Sequence, residues 1–103
     1  MSQYFLDSSA LIKRYVEERG TGWVRAITAP DSGHGIVVAQ IAPIEIVSGI
    51  MRRAREGSIS ERTGRDTRLL IDLHARREYR VVALTDEVVR RAEDLLERHA
   101  LRA

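Results

Sequence analysis

Asp7 and Glu45 are the residues on which chemistry is most readily built. Asp7 closes a short β-favouring run, Tyr4-Phe5-Leu6, and two hydroxyl residues, Ser8 and Ser9, follow it. Glu45 stands in the first two turns of a helical stretch that begins after a second apolar run, Ile36 to Ala39. Its helical neighbours three and four residues away are Ile41, Ala42, Ser48 and Gly49. None is a cation and most are small, so a ligand can approach the carboxylate closely. If both apolar runs are parallel strands, both acids lie beyond strand carboxyl ends, where open α/β sheets form their sites. Two carboxylates with hydroxyls beside them suit a hard divalent cation such as Mg²⁺ or Mn²⁺. Each acid also has a plain structural role open to it. Asp7 can cap the helix it precedes, and Glu45 can be a solubilising residue near a helix N-terminus. Asp86 follows a third apolar run, but Thr85-Asp86-Glu87 is a good helix start, and capping is the favoured role there.

The elements that must position these acids read as β-α-α-β-α-α-β-α. The first strand runs directly into a helix through Ala10, Leu11, Ile12, Tyr15 and Val16. A short second helix holds Trp23, Val24 and Ile27 and closes near Pro30. Ile36 to Ala39 is apolar without alternation, as in a buried parallel strand. Ile41 to Glu56 predicts a helix with Ile44, Val47, Met51 and Ala54 facing the core, and Pro43 is tolerated in its first turn. Ser58 and Glu61 form a capping-box pattern for the next helix, whose core stripe is Leu69, Leu70 and Leu73. Tyr79 to Leu84 predicts the third strand. The last helix repeats Val88, Ala92, Leu95, Leu96 and His99 at helical spacing, and His99 is read as packing. Alternating strands and helices predict a three-layer α/β/α sandwich around a parallel sheet. Three strands make a thin sheet for that architecture.

Composition narrows the class. One domain spanning 1–103 accounts for the 103 residues, of which 44% are hydrophobic and 31% charged. The absence of cysteine excludes disulfides and thiolate metal sites. No apolar run reaches bilayer length and no signal-peptide pattern opens the chain, so a cytoplasmic location without membrane contact is expected. The histidines, His34, His74 and His99, lack metal spacing, and no glycine-rich phosphate loop follows a strand. The net charge of +2 is too small to demand a nucleic-acid partner. Every basic residue except Lys13 is arginine, with clusters at Arg52, Arg53 and Arg55, at Arg76, Arg77 and Arg80, and at Arg90 and Arg91. Arginine forks fit phosphates, although on helices such clusters are more often solvated faces paired with glutamate.

The segment from Tyr4 through Asp7, Ser8 and Ser9 to Tyr15 resembles the opening strand and helix of PIN domains, in particular VapC-like toxins. Ile44-Glu45-Ile46-Val47-Ser48 resembles their second motif, and the stretch from Val82 to Ala103 resembles the approach to the third. The resemblance spans essentially the whole chain, and its Asp7 segment is the more specific. It implies a metal-dependent endoribonuclease that binds Mg²⁺ or Mn²⁺ through three or four carboxylates. Carried over residue by residue, Asp7 and Glu45 become the metal-binding catalytic acids. Ser8 or Ser9 holds a metal-bound water, and Lys13 or Arg14 touches the RNA backbone. The family's third aspartate, and the helix and strands around it, are expected beyond Ala103, so the domain is read as C-terminally incomplete. A fragment, a natural truncation and a pair of chains sharing elements are all compatible with that.

Two functions compete on this basis. One is a ribonuclease of the VapC toxin type, held by a small cognate antitoxin and weak or inactive as this chain. The other is a non-catalytic PIN-like module that acts through dimerisation or antitoxin binding. A receiver-like or nucleotide-binding α/β domain also places an acid after its first strand, but the missing glycine-rich loop and the thin sheet count against it.

Overall fold

A computed structural model of the chain describes residues 2–83 and 85–98. Strand β1 (Gln3–Phe5) runs through Leu6 and Asp7 into helix α1 (Ser8–Leu11), which tightens into a 3₁₀ turn over Ile12–Arg14. Helix α2 (Thr21–Thr28) precedes β2 (Gly35–Ala39), and the hairpin of α3 (Ala42–Arg55) and α4 (Glu61–Arg77) leads to β3 (Tyr79–Val82). Helix α5 (Asp86–Arg98) follows, with Asp86 and Glu87 in its first turn. The order is β1-β2-β3 and both pairings are parallel, with Tyr4 beside Ile36 and Ile36 beside Tyr79. The fold is the α/β arrangement read from the sequence.

Both crossovers step the same way across the sheet. A right-handed connection then puts α1 to α4 on one face. The core agrees: Leu6, Ile36, Val38 and Tyr79 share it with Leu11, Ile27, Ala42, Ile46, Ile50 and Ile71. The opposite face presents Phe5, 58% exposed, beside a half-buried Val37. The described residues thus supply the sheet and one helical layer of the expected sandwich. The side chains of Val88, Ala92, Leu95 and Leu96 lie outside the described residues, as do Leu84, His99 and the Leu101-Arg102-Ala103 segment.

Helix faces depart from the sequence expectation in two places. In α3 the buried positions are Ala42, Ile46, Gly49 and Ile50, while Ile44 is exposed and Val47, Met51 and Ala54 are half-buried. Gly49 fixes that rotation, because a Cβ there would lie 2.9 Å from Cδ1 of Ile12. In α4 the expected stripe of Leu69, Leu70 and Leu73 faces outward, with Leu69 67% exposed. Gly64, Ile71 and His74 are buried instead. Gly64 sits against Ala54, where a Cβ would approach the Ala54 methyl to 3.2 Å, so the hairpin closes on its small residues. The cap also moves. Ser60, not Ser58, accepts from the Thr63 amide through Oγ at 3.0 Å. The Ser58 amide is bonded to the Arg53 carbonyl, closing α3 after Gly57 turns the chain at φ +81°.

Candidate active site at the carboxyl ends of the strands

Asp7 is extended backbone, two residues past β1, and caps α1. Its Oδ1 accepts from the Ala10 amide at 2.9 Å and from the Ser9 hydroxyl at 2.9 Å. The capping role foreseen for Asp7 is therefore filled by one oxygen. The other, Oδ2, has no partner among the described residues and the side chain is exposed. Ser9 fixes the carboxylate's orientation, whereas Ser8 makes no side-chain hydrogen bond among the described residues.

Glu45 lies in the first turn of α3, its amide bonded to the Ile41 carbonyl at 3.0 Å. Its carboxylate is exposed and has no partner among the described residues. It lines a shallow groove of about 340 Å³ with Ile44, Ser48, Gly49, Arg52 and Arg55. Helices α1 and α3 both start at the carboxyl edge of a parallel sheet and meet where Gly49 touches Ile12. Asp7 precedes Ile12, and Glu45 precedes Gly49, by about one helical turn or slightly more. Asp7 thus caps one, and Glu45 lies in the first turn of the other, of two helices that leave the carboxyl edge of the sheet. Asp86, first residue of α5, follows β3 toward that edge.

Lys13 and Arg14 are not brought to this edge. Lys13 Nζ donates to the Arg19 carbonyl at 2.8 Å. Arg14 reaches the amino end of β3, where it donates to Tyr79 Oη at 2.8 Å and to Glu78 Oε1 at 3.0 Å. There it joins a ring of polar groups that sequence reading missed. Tyr79 and Tyr15 hydroxyls are hydrogen-bonded, Tyr15 Oη lies 2.7 Å from His74 Nδ1, and His74 Nε2 lies 3.3 Å from Glu78 Oε2. One arrangement of protons satisfies every contact: Arg14 donates to Tyr79, Tyr79 to Tyr15, Tyr15 to Nδ1 of a neutral His74, and His74 Nε2–H to Glu78. Burial lowers the His74 pKa and the Arg14 charge adds to that, against a smaller opposing pull from Glu78. Burial pushes the Tyr15 and Tyr79 hydroxyls up. The His74–Glu78 spacing of four residues was the one hint of this ring in the sequence.

Among the described residues, no three His, Cys, Asp or Glu side chains gather as a metal-binding group. What the edge offers is a pair of exposed carboxylates, one of them held in place by Ser9 and the Ala10 amide. That donor chemistry fits a hard cation such as Mg²⁺, which keeps several waters and is often held by one or two carboxylates together with substrate phosphates. The PIN domain family model matches residues 4–103.

The chain belongs to the PIN domain family. PIN domains are in general metal-dependent nucleases, and the chain has their nuclease-like fold. No curated protein matches the sequence. No helix among the described residues of this PIN domain is long and apolar enough to cross a membrane.

Proposed function

We propose that this PIN domain is a Mg²⁺- or Mn²⁺-dependent endoribonuclease of the VapC toxin type. The observation that carries the proposal is the pair of exposed carboxylates, Asp7 and Glu45, which make no ion pair among the described residues and stand at the starts of two helices packed through Gly49 and Ile12. Asp7 through Oδ2, and Glu45, would hold the cation, and Ser9 keeps the Asp7 carboxylate turned for that role. A bound cation lowers the pKa of its water and offsets charge on the phosphate under attack. Ser8 and Ser9 lie where a hydroxyl can hold a water near the acids. With two acids the affinity for metal is modest and cleavage slow. A small cognate antitoxin, a dimeric state and a cytoplasmic setting complete the proposal.

A second reading is supported by the outer face of α4, where Leu69, Leu70 and Leu73 are exposed together. Apolar area of that kind suits a non-catalytic module that pairs with itself or with an antitoxin.

Incubation with single-stranded RNA and Mn²⁺, beside Asp7→Asn and Glu45→Gln, separates the two. Slow cleavage by the parent chain, lost in both variants, is expected. Cleavage that survives Asp7→Asn overturns the site, and the absence of any cleavage favours the non-catalytic module.

A further inference from the structure

The arginines of α3 are not equivalent. Arg53 is spent inside the fold, donating to Glu18 Oε1 at 2.9 Å and to the Gly49 carbonyl at 3.1 Å. Arg52 and Arg55 are exposed, make no ion pair among the described residues, and line the same groove as Glu45 and Ser48. Glu45, Ser48, Arg52 and Arg55 are spaced by three, four and three residues, which keeps them on one stripe of the helix. At about 1.5 Å of rise per residue, Arg52 lies roughly 10 Å and Arg55 roughly 15 Å along the axis from Glu45. Helical side chains lean toward the N-terminus, which for Arg52 and Arg55 is the direction of the acid. Ser48 and Gly49 between them are small and leave the groove floor low.

We propose that Arg52 and Arg55 form a phosphate-binding track, seating the backbone of single-stranded RNA on one side of the bond to be cut at Glu45. The proposal deepens the ribonuclease reading above and rests on it. A planar guanidinium pairs bidentately with phosphate oxygens and stays charged at any relevant pH. Glu45 gives the track a direction. Without a cation its charge repels the backbone, so the strand binds best past the arginines and is drawn over the acid only when divalent metal is present. A single-stranded RNA presents phosphates at regular intervals along one chain, which suits two guanidinium groups set about one turn apart on the helix. RNA is therefore the occupant the groove fits.

The test is fluorescence anisotropy of a labelled single-stranded oligoribonucleotide in EDTA, over a range of salt concentrations. The Arg52→Ala/Arg55→Ala double variant should bind about tenfold more weakly, the effect of losing two exposed charge pairs. Its dependence of log affinity on log salt should flatten by about 1.4, since each phosphate contact on a single strand contributes about 0.7. Arg76→Ala/Arg77→Ala, which removes equal charge from the far end of α4, should match the parent. Glu45→Gln should tighten binding in EDTA. Equal loss in the two arginine pairs, or none in Arg52→Ala/Arg55→Ala, overturns the track and leaves the ribonuclease reading standing. A parent chain that binds no RNA overturns both. Displacement of the RNA by polyglutamate of equal charge as readily as by unlabelled RNA would show a general anion surface and also overturn the track.

Discussion

Gly49 of α3 and Ile12 at the end of α1 pack so closely that a Cβ on Gly49 would stand 2.9 Å from the Ile12 Cδ1. The same Cβ would lie 3.2 Å from Nη1 of Arg53, which bonds the Gly49 carbonyl and holds Glu18. The absence of a side chain at one position therefore brings two helices together and leaves room for the ion pair from Arg53 to Glu18, in the segment between the 3₁₀ turn and α2. Asp7 caps the helix that leads to Ile12, and Glu45 lies in the first turn of the helix that carries Gly49.

Gly49→Leu should destabilise the fold by about 2 kcal/mol, overpacking outweighing the roughly 1 kcal/mol gained from helix propensity. Ile12→Ala in the same chain should recover part of the loss, because the methyl that clashes is gone. Urea denaturation of the two single variants and the double variant measures this, and strictly additive losses would contradict the contact.

The outward face of α4 can be checked in the same way. Leu69→Gln should change stability by no more than about 0.5 kcal/mol. Ile71→Ala, two residues on, should cost about 2–5 kcal/mol. The reverse order would restore the stripe that the sequence suggested.

That stripe shows what a sequence can and cannot convey. The alternation of strands and helices, the parallel sheet, Asp7 at a strand end and Glu45 in a first helical turn were all readable, since each follows from local apolar runs and caps. The rotation of α3 and α4 was not. Leu69, Leu70 and Leu73 are three of the four large aliphatic residues of α4, yet the helix turns Gly64, Ile71 and His74 inward. Gly64 allows a close approach to Ala54, and His74 can be buried because Tyr15 and Glu78, remote or one turn away, satisfy both ring nitrogens. Tertiary partners of this kind leave no trace in hydrophobic periodicity. The cap was misplaced in a similar way: the sequence pattern pointed to Ser58, whose amide instead closes α3 after the Gly57 turn, and Ser60 caps α4. Ser60→Ala should accordingly cost about 1 kcal/mol in denaturation experiments and Ser58→Ala much less.

His74 makes the fold sensitive to mild acid. Its pKa is lowered in the folded chain, first by burial and then by Arg14. A lowered folded pKa means the unfolded chain takes up the proton first, so the stabilisation is fully present above the ordinary value of 6.5 and is lost as pH falls from there toward the folded value. Protonated Nδ1 could no longer accept from Tyr15, and the new charge would face Arg14, offset only by Glu78. Stability should fall by at most about 1.4 kcal/mol per pH unit in that window from this group. His74→Gln should flatten the slope there while lowering stability at neutral pH. An unchanged slope as pH falls below 6.5, read as urea midpoints, would show that His74 is not the titrating group.

The account turns on Asp7 and Glu45 acting as one cation site, and calorimetric titration with Mn²⁺ measures that directly. The parent chain should bind Mn²⁺, Asp7→Asn and Glu45→Gln should each weaken binding, and the double variant should bind no worse than the weaker single one, as expected of ligands to a shared ion. Independent, additive losses, or a single variant that binds Mn²⁺ as tightly as the parent, would contradict it.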